Sequence, residues 1–210
     1  MRTHISNKIK NIIFDFGGVI CNIDHLIPEK KFKELGIRDF DMMYSQAVQN
    51  NLFEDLEKNQ ISPQNFRTNL KLLINGNISD EQIDEAWNSM ILDIPKKKID
   101  LLKKLKDKYG IFLLSNSNII HYNVYIEDFR TKSGLKDFSS LFEKAWFSFD
   151  LKMRKPDIEI YEFVLKDAEL IPEETLFIDD SFQNIQPAEE LGIQCVFLEN
   201  DMDILKLFEF

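Results

Sequence analysis

Two periodicities alternate along the chain. Residues 10–14 (KNIIF) form a short apolar run that stops at Asp15, Gly17 and Gly18. That pattern predicts a buried strand followed by a tight turn. Over residues 24–95 the apolar positions recur at three and four instead. Ser62-Pro63 marks a helix start, with proline in the first turn, and Phe66, Leu70, Leu73 and Ile74 supply the apolar face. Ser79 and Gln82 have the spacing of a capping box. Ile83, Ala86, Trp87, Met90 and Ile91 then predict a second helix that runs on through Ile91. Strand signals are lacking in this stretch, so it is expected to be all-helical.

Beyond Pro95 the two periods interleave. Residues 96–109 predict an amphipathic helix with Ile99, Leu102 and Leu105 on one side, closed by Gly110. Residues 111–114 (IFLL) predict a strand running into Ser115-Asn116, and an aromatic-rich helix follows to residue 129. Residues 145–148 predict a strand and residues 157–169 a helix. Residues 175–178 (TLFI) predict a strand that ends in Asp179-Asp180. Residues 188–191 read as a helical turn stopped by Gly192, and residues 194–198 as the last strand. Strands alternating with helices imply an α/β layer fold with a parallel sheet. Such a sheet carries its chemistry at the carboxyl ends of its strands, and three of those ends here hold Asp15, Ser115 and Asp179-Asp180. The C-terminal MDILKLFEF is expected to pack on the domain as a tail.

Composition narrows the class. A chain of 210 residues suits one domain, or one domain with an insert. With 44% apolar and 30% charged residues it is neither disordered nor a collagen nor a disulfide scaffold. Asp plus Glu outnumber Lys plus Arg, 36 to 26, for a net charge of −10. That balance argues against nucleic acid or an anionic membrane as partner, because both require a positive face. A small anionic substrate remains compatible, since a local lysine outweighs distant, screened charges. Cys21 and Cys195 each sit in an apolar run and read as small core hydrophobes. Sparse cysteine and no secretory signal point to the cytoplasm, and no stretch approaches the roughly 18 apolar residues of a membrane span. The oligomeric state stays open, a homodimer included.

The candidate chemistry lies at the strand ends. Taken alone, Asp15 reads equally well as an ordinary turn aspartate that bonds its own backbone and as a functional carboxylate at a strand end. Asp179-Asp180 is harder to explain that way, because adjacent acids repel unless a cation neutralises them. If the two strands are neighbours, three carboxylates meet at one edge, a hard-oxygen set suited to Mg²⁺. Lys155 precedes a proline and is held extended, ready either for solvent or for that cluster. Ser115-Asn116 is either a helix cap or an anion site at a helix N-terminus. The DFG tripeptide at residues 15–17 is not expected to be a kinase signature, since only 14 residues precede it here.

Taken in order, FDFGGVI, LLSNSN, LKMRKPDIEIY and FIDDSFQNI resemble the four motifs of the haloacid dehalogenase superfamily of hydrolases. Within it they resemble the sugar-phosphate phosphatases of the α-D-glucose-1-phosphatase type. The resemblance covers essentially the whole chain. It implies a Rossmann-like doubly wound parallel sheet, residues 1–23 and 96–210, with a small helical cap at residues 24–95 inserted after the first strand. It implies a Mg²⁺-dependent phosphatase acting on a small phosphorylated metabolite, a sugar phosphate, through an aspartyl-phosphate. Asp15 becomes the nucleophile; Asp15, the Gly17 carbonyl and Asp180 become the metal ligands, with Asp179 an auxiliary acid. Phe16, Gly17, Ser115, Asn116 and Lys155 become the phosphate-binding set, and Ser115 and Lys155 join Asp15 in catalysis.

One departure stands out. The family usually places a second aspartate, an acid–base, where this chain has Gly17. Such help is typically worth about 10²–10⁴-fold, and Asp24 is the expected substitute. Two rival functions follow: a 2-haloacid dehalogenase that uses Asp15 without metal, and a non-catalytic relative that only binds. The intact Asp179-Asp180 pair favours the phosphatase. His121 is expected to face solvent or cap its helix, with substrate contact the alternative. Trp87, Met90 and the 18 phenylalanines read as packing residues.

Overall fold

The computed structural model describes residues 5–36, 51–74, 77–199 and 202–208. Its strands are β1 (Asn11–Phe14), β2 (Asn22–Ile23), β3 (Ile91–Asp93), β4 (Gly110–Ser115), β5 (Lys144–Phe147), β6 (Thr175–Asp179) and β7 (Gln194–Phe197). Five of them form one sheet in the order β5-β4-β1-β6-β7, every pair parallel. The chain therefore winds outward from β1 in both directions, and the switch point of this α/β sheet lies between β1 and β6. Such a point leaves a crevice at the strands' carboxyl ends.

The helices are α1 (Leu26–Glu34), α2 (Leu52–Glu57), α3 (Pro63–Ile74), α4 (Asp80–Asn88), α5 (Lys96–Leu105), α6 (Ile119–Ser133), α7 (Ser148–Leu151), α8 (Ile158–Asp167) and α9 (Phe182–Glu190). Alternate residues of each central strand feed two cores. Ile12, Phe14, Leu113 and Ile178 pack with α5 and α6 on one face, while Ile13, Phe112, Leu114 and Phe177 pack with α8 and α9 on the other. Burial on both faces is why these strands read as unbroken apolar runs. A third cluster joins Phe32, Leu56, Phe66, Leu70 and Ile83 of α1 to α4, and Ile120 of α6 ties it to the main body. The capping box at Ser79 is formed in both directions. The C-terminal tail packs as expected, with Ile204 in the core and Phe208 against Phe14. Both cysteines are free thiols among apolar neighbours.

Three expectations are corrected. The second insert helix stops at Asn88, and Ile91 instead opens β3, which pairs antiparallel with β2. The stretch expected to be all-helical therefore ends in a short ladder, too brief to show a period and paired across the whole insert. Gly110 does not close α5, which ends at Leu105; it begins β4. A Cβ on Gly110 would lie 2.6 Å from Asn11 Oδ1, the tip of a side chain on the neighbouring strand, so a larger residue there would have to displace Asn11. The helix expected at 188–191 begins earlier, at Phe182, with Pro187 inside it. Among the described residues, no helix is long and apolar enough to cross a membrane.

Candidate active site

Register puts the acids together. Phe14 pairs with Ile178, and the Asp15 N–H donates to the Ile178 carbonyl at 2.9 Å. Asp15 thus lies beside the end of β6, where Asp179 and Asp180 leave the sheet. Lys155, almost wholly buried, bridges the two strands: its Nζ donates to Asp15 Oδ1 and to Asp179 Oδ2, each at 2.6 Å. Asn116 fixes this lysine from behind. Its Oδ1 accepts from the Lys155 N–H at 2.9 Å and its Nδ2 donates to the Lys155 carbonyl at 2.7 Å. The Asn116 side chain is therefore a backbone clamp, and only its main chain is left to meet an anion.

The two acids at the end of β6, Asp179 within it and Asp180 just after it, have different work. Asp179 Oδ1 accepts from the Ser181 N–H at 2.8 Å and from Asn184 Nδ2 at 2.9 Å, so with Lys155 on Oδ2 both of its oxygens are engaged. Asp180 is half-buried beside Gly18. A Cβ on Gly18 would fall 1.8 Å from Asp180 Oδ2, and Gly18 has φ +73°. Both the space and the left-handed backbone demand glycine. Ligand oxygens of Asp15, Asp179 and Asp180 lie within 4.8 Å of one another.

One ammonium faces three carboxylates. Burial pushes the Asp15 pKa up to about 7; Lys155 pulls it down, and Asp179 and Asp180 push it up again. Asp180 is raised by burial and by Asp179, against Lys155. For Lys155 burial favours the neutral amine, but the charges and hydrogen bonds of Asp15 and Asp179 outweigh it and raise the pKa. The cluster is short of positive charge and offers hard oxygens, which suits one divalent cation.

Above it opens a cavity of about 370 Å³, within the range of small-molecule sites. Phe16, Gly17, Ser115 and Asn116 form its floor. The ring of Phe16 turns away into the core, 4.6 Å from Tyr125 and 5.3 Å from Phe138. The far wall comes from the insert: Phe53 and Glu57 of α2, and Trp87 of α4. Phe53 stacks on Trp87 at 4.9 Å, and Trp87 on His121 at 5.1 Å.

Several assignments change. The helix after Ser115 is capped by Asn118, whose Oδ1 accepts from the N–H groups of Ile120 and His121. Ser115 and Asn116 are thus no cap. Asp24 is not on the cavity wall; its Oδ1 accepts from the Leu26 N–H at 2.8 Å and tethers the start of α1. His121 does not face solvent. It is half-buried, its Nδ1 meets Asn118 Nδ2, and its Nε2 is shielded from water without a hydrogen bond. Burial pushes its pKa down to about 4, against the smaller pull of the Trp87 carbonyl. Trp87 packs as expected, against Phe53 and Phe66, but also lines the cavity; Met90 lies beyond the end of α4 and lines the cavity as well. Sequence reasoning missed Glu57 outright. It missed Arg154 as well, which directly precedes Lys155-Pro156.

The His121 environment has a measurable consequence. The unfolded chain takes up this proton near 6.5 and the folded chain only near 4. Stability is therefore full above pH 6.5 and falls as pH drops through that window, by roughly 3 kcal/mol at most. Between pH 7 and pH 4.5 the melting temperature of wild type is expected to drop further than that of His121→Gln. Parallel melting curves would show that the ring is accessible to protons.

The chain matches the haloacid dehalogenase-like hydrolase family over residues 9–192. It belongs to that family. Among curated proteins, this hydrolase is 34% identical over 195 residues to a D-ribitol-5-phosphate phosphatase of Bacteroides thetaiotaomicron, covering 93% of this chain and 94% of that one. Among solved structures it is similar to a family enzyme of the same organism in complex with magnesium and inorganic phosphate. There the TM-score is 0.87 and the identity 39%, covering 96% of this chain and 100% of the other. A family hydrolase from Porphyromonas gingivalis follows with TM-score 0.84 and 32% identity, covering 95% of each chain.

Proposed function

We propose that this hydrolase is a Mg²⁺-dependent phosphatase of a small phosphorylated sugar or polyol, working through an aspartyl-phosphate on Asp15. The observation that carries the reading is Lys155 Nζ at 2.6 Å from both Asp15 and Asp179, at the switch point of the sheet. A buried ammonium there neutralises an anionic nucleophile that has to meet an anionic ester, which is the main demand of phosphoryl transfer. The relative that acts on ribitol 5-phosphate supports a polyol or sugar phosphate as substrate class.

Asp15 and Asp180 would hold the metal with the Gly17 carbonyl, since Asp179 has no free oxygen. When bound, Mg²⁺ supplies charge neutralisation for the phosphoryl oxygens and lets Asp15 react ionised. Asp15 attacks phosphorus while Lys155, anchored by Asn116 and Asp179, holds a phosphoryl oxygen. Ser115 and the Asn116 N–H take further equatorial oxygens. Asp179 positions Lys155. Residues 24–95 act as the cap, with Phe53 and Trp87 setting the size of the group that fits above the phosphate. The dehalogenase alternative leaves the charge deficit around Asp15 and Asp180 without a purpose.

The test is a panel of sugar and polyol phosphates assayed for phosphate release with Mg²⁺ and with EDTA. Release from at least one member is expected, falling to background with EDTA and returning with added Mg²⁺. Full turnover in EDTA would remove the metal from the scheme. Metal-independent release of halide from a 2-haloacid would replace it with the dehalogenase reading.

A further inference from the structure

Resting on that reading, we propose that Glu57, delivered from the insert by α2 and held by Arg154, is the acid–base residue whose usual place Gly17 leaves without a side chain. Gly17 forms part of the cavity floor and Glu57 part of its wall, so both face the space a bound ester would fill. Arg154 Nε donates to Glu57 Oε2 at 3.0 Å, which fixes the carboxyl while Oε1 takes no hydrogen bond from the described residues.

The other titratable groups near the cavity are poorer candidates. Glu54 is tied to Lys58 at 2.6 Å, which lowers its pKa and keeps it ionised. His121 engages Asn118 and has its other nitrogen shielded. His25 is exposed at the rim, and Asp24 tethers α1. The charged groups facing Glu57 are Arg154, Glu54 and Lys155. Burial raises its pKa, Arg154 and Lys155 oppose this, and Glu54 adds to it.

The proton balance closes. As Asp15 forms its bond to phosphorus, the bond from phosphorus to the ester oxygen breaks. Its electron pair leaves with the alkoxide, and the Glu57 carboxyl protonates that oxygen to give the alcohol. Water then attacks phosphorus while the Glu57 carboxylate takes its proton. The bond to Asp15 breaks, its electron pair returns to the Asp15 carboxylate, and inorganic phosphate leaves with Glu57 protonated again.

The experiment compares Glu57→Gln with wild type on two esters: the sugar or polyol phosphate turned over fastest in the panel, and p-nitrophenyl phosphate. The alkyl ester needs its leaving group protonated and the aryl ester does not. On the alkyl ester kcat is expected to fall about 10²–10⁴-fold. On the aryl ester the variant is expected to release one nitrophenolate per site in a burst and then turn over slowly, because hydrolysis still lacks its base. Equal losses on both esters without a burst, or an unchanged kcat, would overturn the assignment. Should the variant fail to fold, wild type decides alone on a series of alkyl phosphates. A weak dependence of kcat on alcohol pKa is expected, and a steep one counts against an enzymic acid. Wild type inert on every phosphate ester sinks the phosphatase reading itself, whereas active wild type with an indifferent Glu57→Gln sinks only this assignment.

Discussion

Asp15→Asn is expected to lower phosphate release by at least about 10⁴-fold, because the amide removes the group that attacks phosphorus and losses of that order follow removal of a nucleophile. The folded state should tolerate the change. Lys155 keeps its 2.6 Å bond to Asp179, and the substituted carboxyl is one that burial and two neighbouring acids hold unfavourably charged. A melting temperature near wild type with turnover gone is therefore the predicted pair of results. Phosphate release within tenfold of wild type would show that another group attacks phosphorus.

Lys155→Met should damage both turnover and fold. It leaves Asp15 and Asp179 buried side by side without the ammonium that bridges them. Removing one partner of a buried ion pair costs about 3–5 kcal/mol. For a chain of this size that is a drop of roughly 6–20 °C in melting temperature. The deficit has a pH signature. Asp15, already raised by burial and its acidic neighbours, favours protonation still more once the ammonium is gone, so the variant loses more relative to wild type as pH rises from 5 to 8. A deficit that stays constant over that range would mean that lost packing, not lost charge, is responsible.

How much of this was legible in the sequence depends on the range of the interaction. The strands around Asp15, Ser115 and Asp179 were readable because burial on both faces leaves continuous apolar runs. The capping box at Ser79 was readable because it is closed within four residues. The family motifs carried the order of the site residues, and Asp15, Asn116, Lys155, Asp179 and Asp180 meet in the structure. Strand β3 was hidden because its partner lies across the insert. Gly110 misled because a glycine that opens a strand looks, along the chain, like one that ends a helix. Asp24 was plausible along the chain, yet its carboxylate turns to α1.

The sequence by itself determined the α/β class, the helices among the described residues of the insert, and which acids, amine and hydroxyl stand at strand ends. Local patterns and nearest-neighbour spacing suffice for those. Only the tertiary structure decided that Asp179 is spent on Lys155, Ser181 and Asn184 while Asp180 is not, that Asn116 clamps a backbone, and that Glu57 reaches the cavity with Arg154. Each of these depends on which remote groups share a few ångströms, a matter set by strand register and helix packing, which no local stretch of residues encodes.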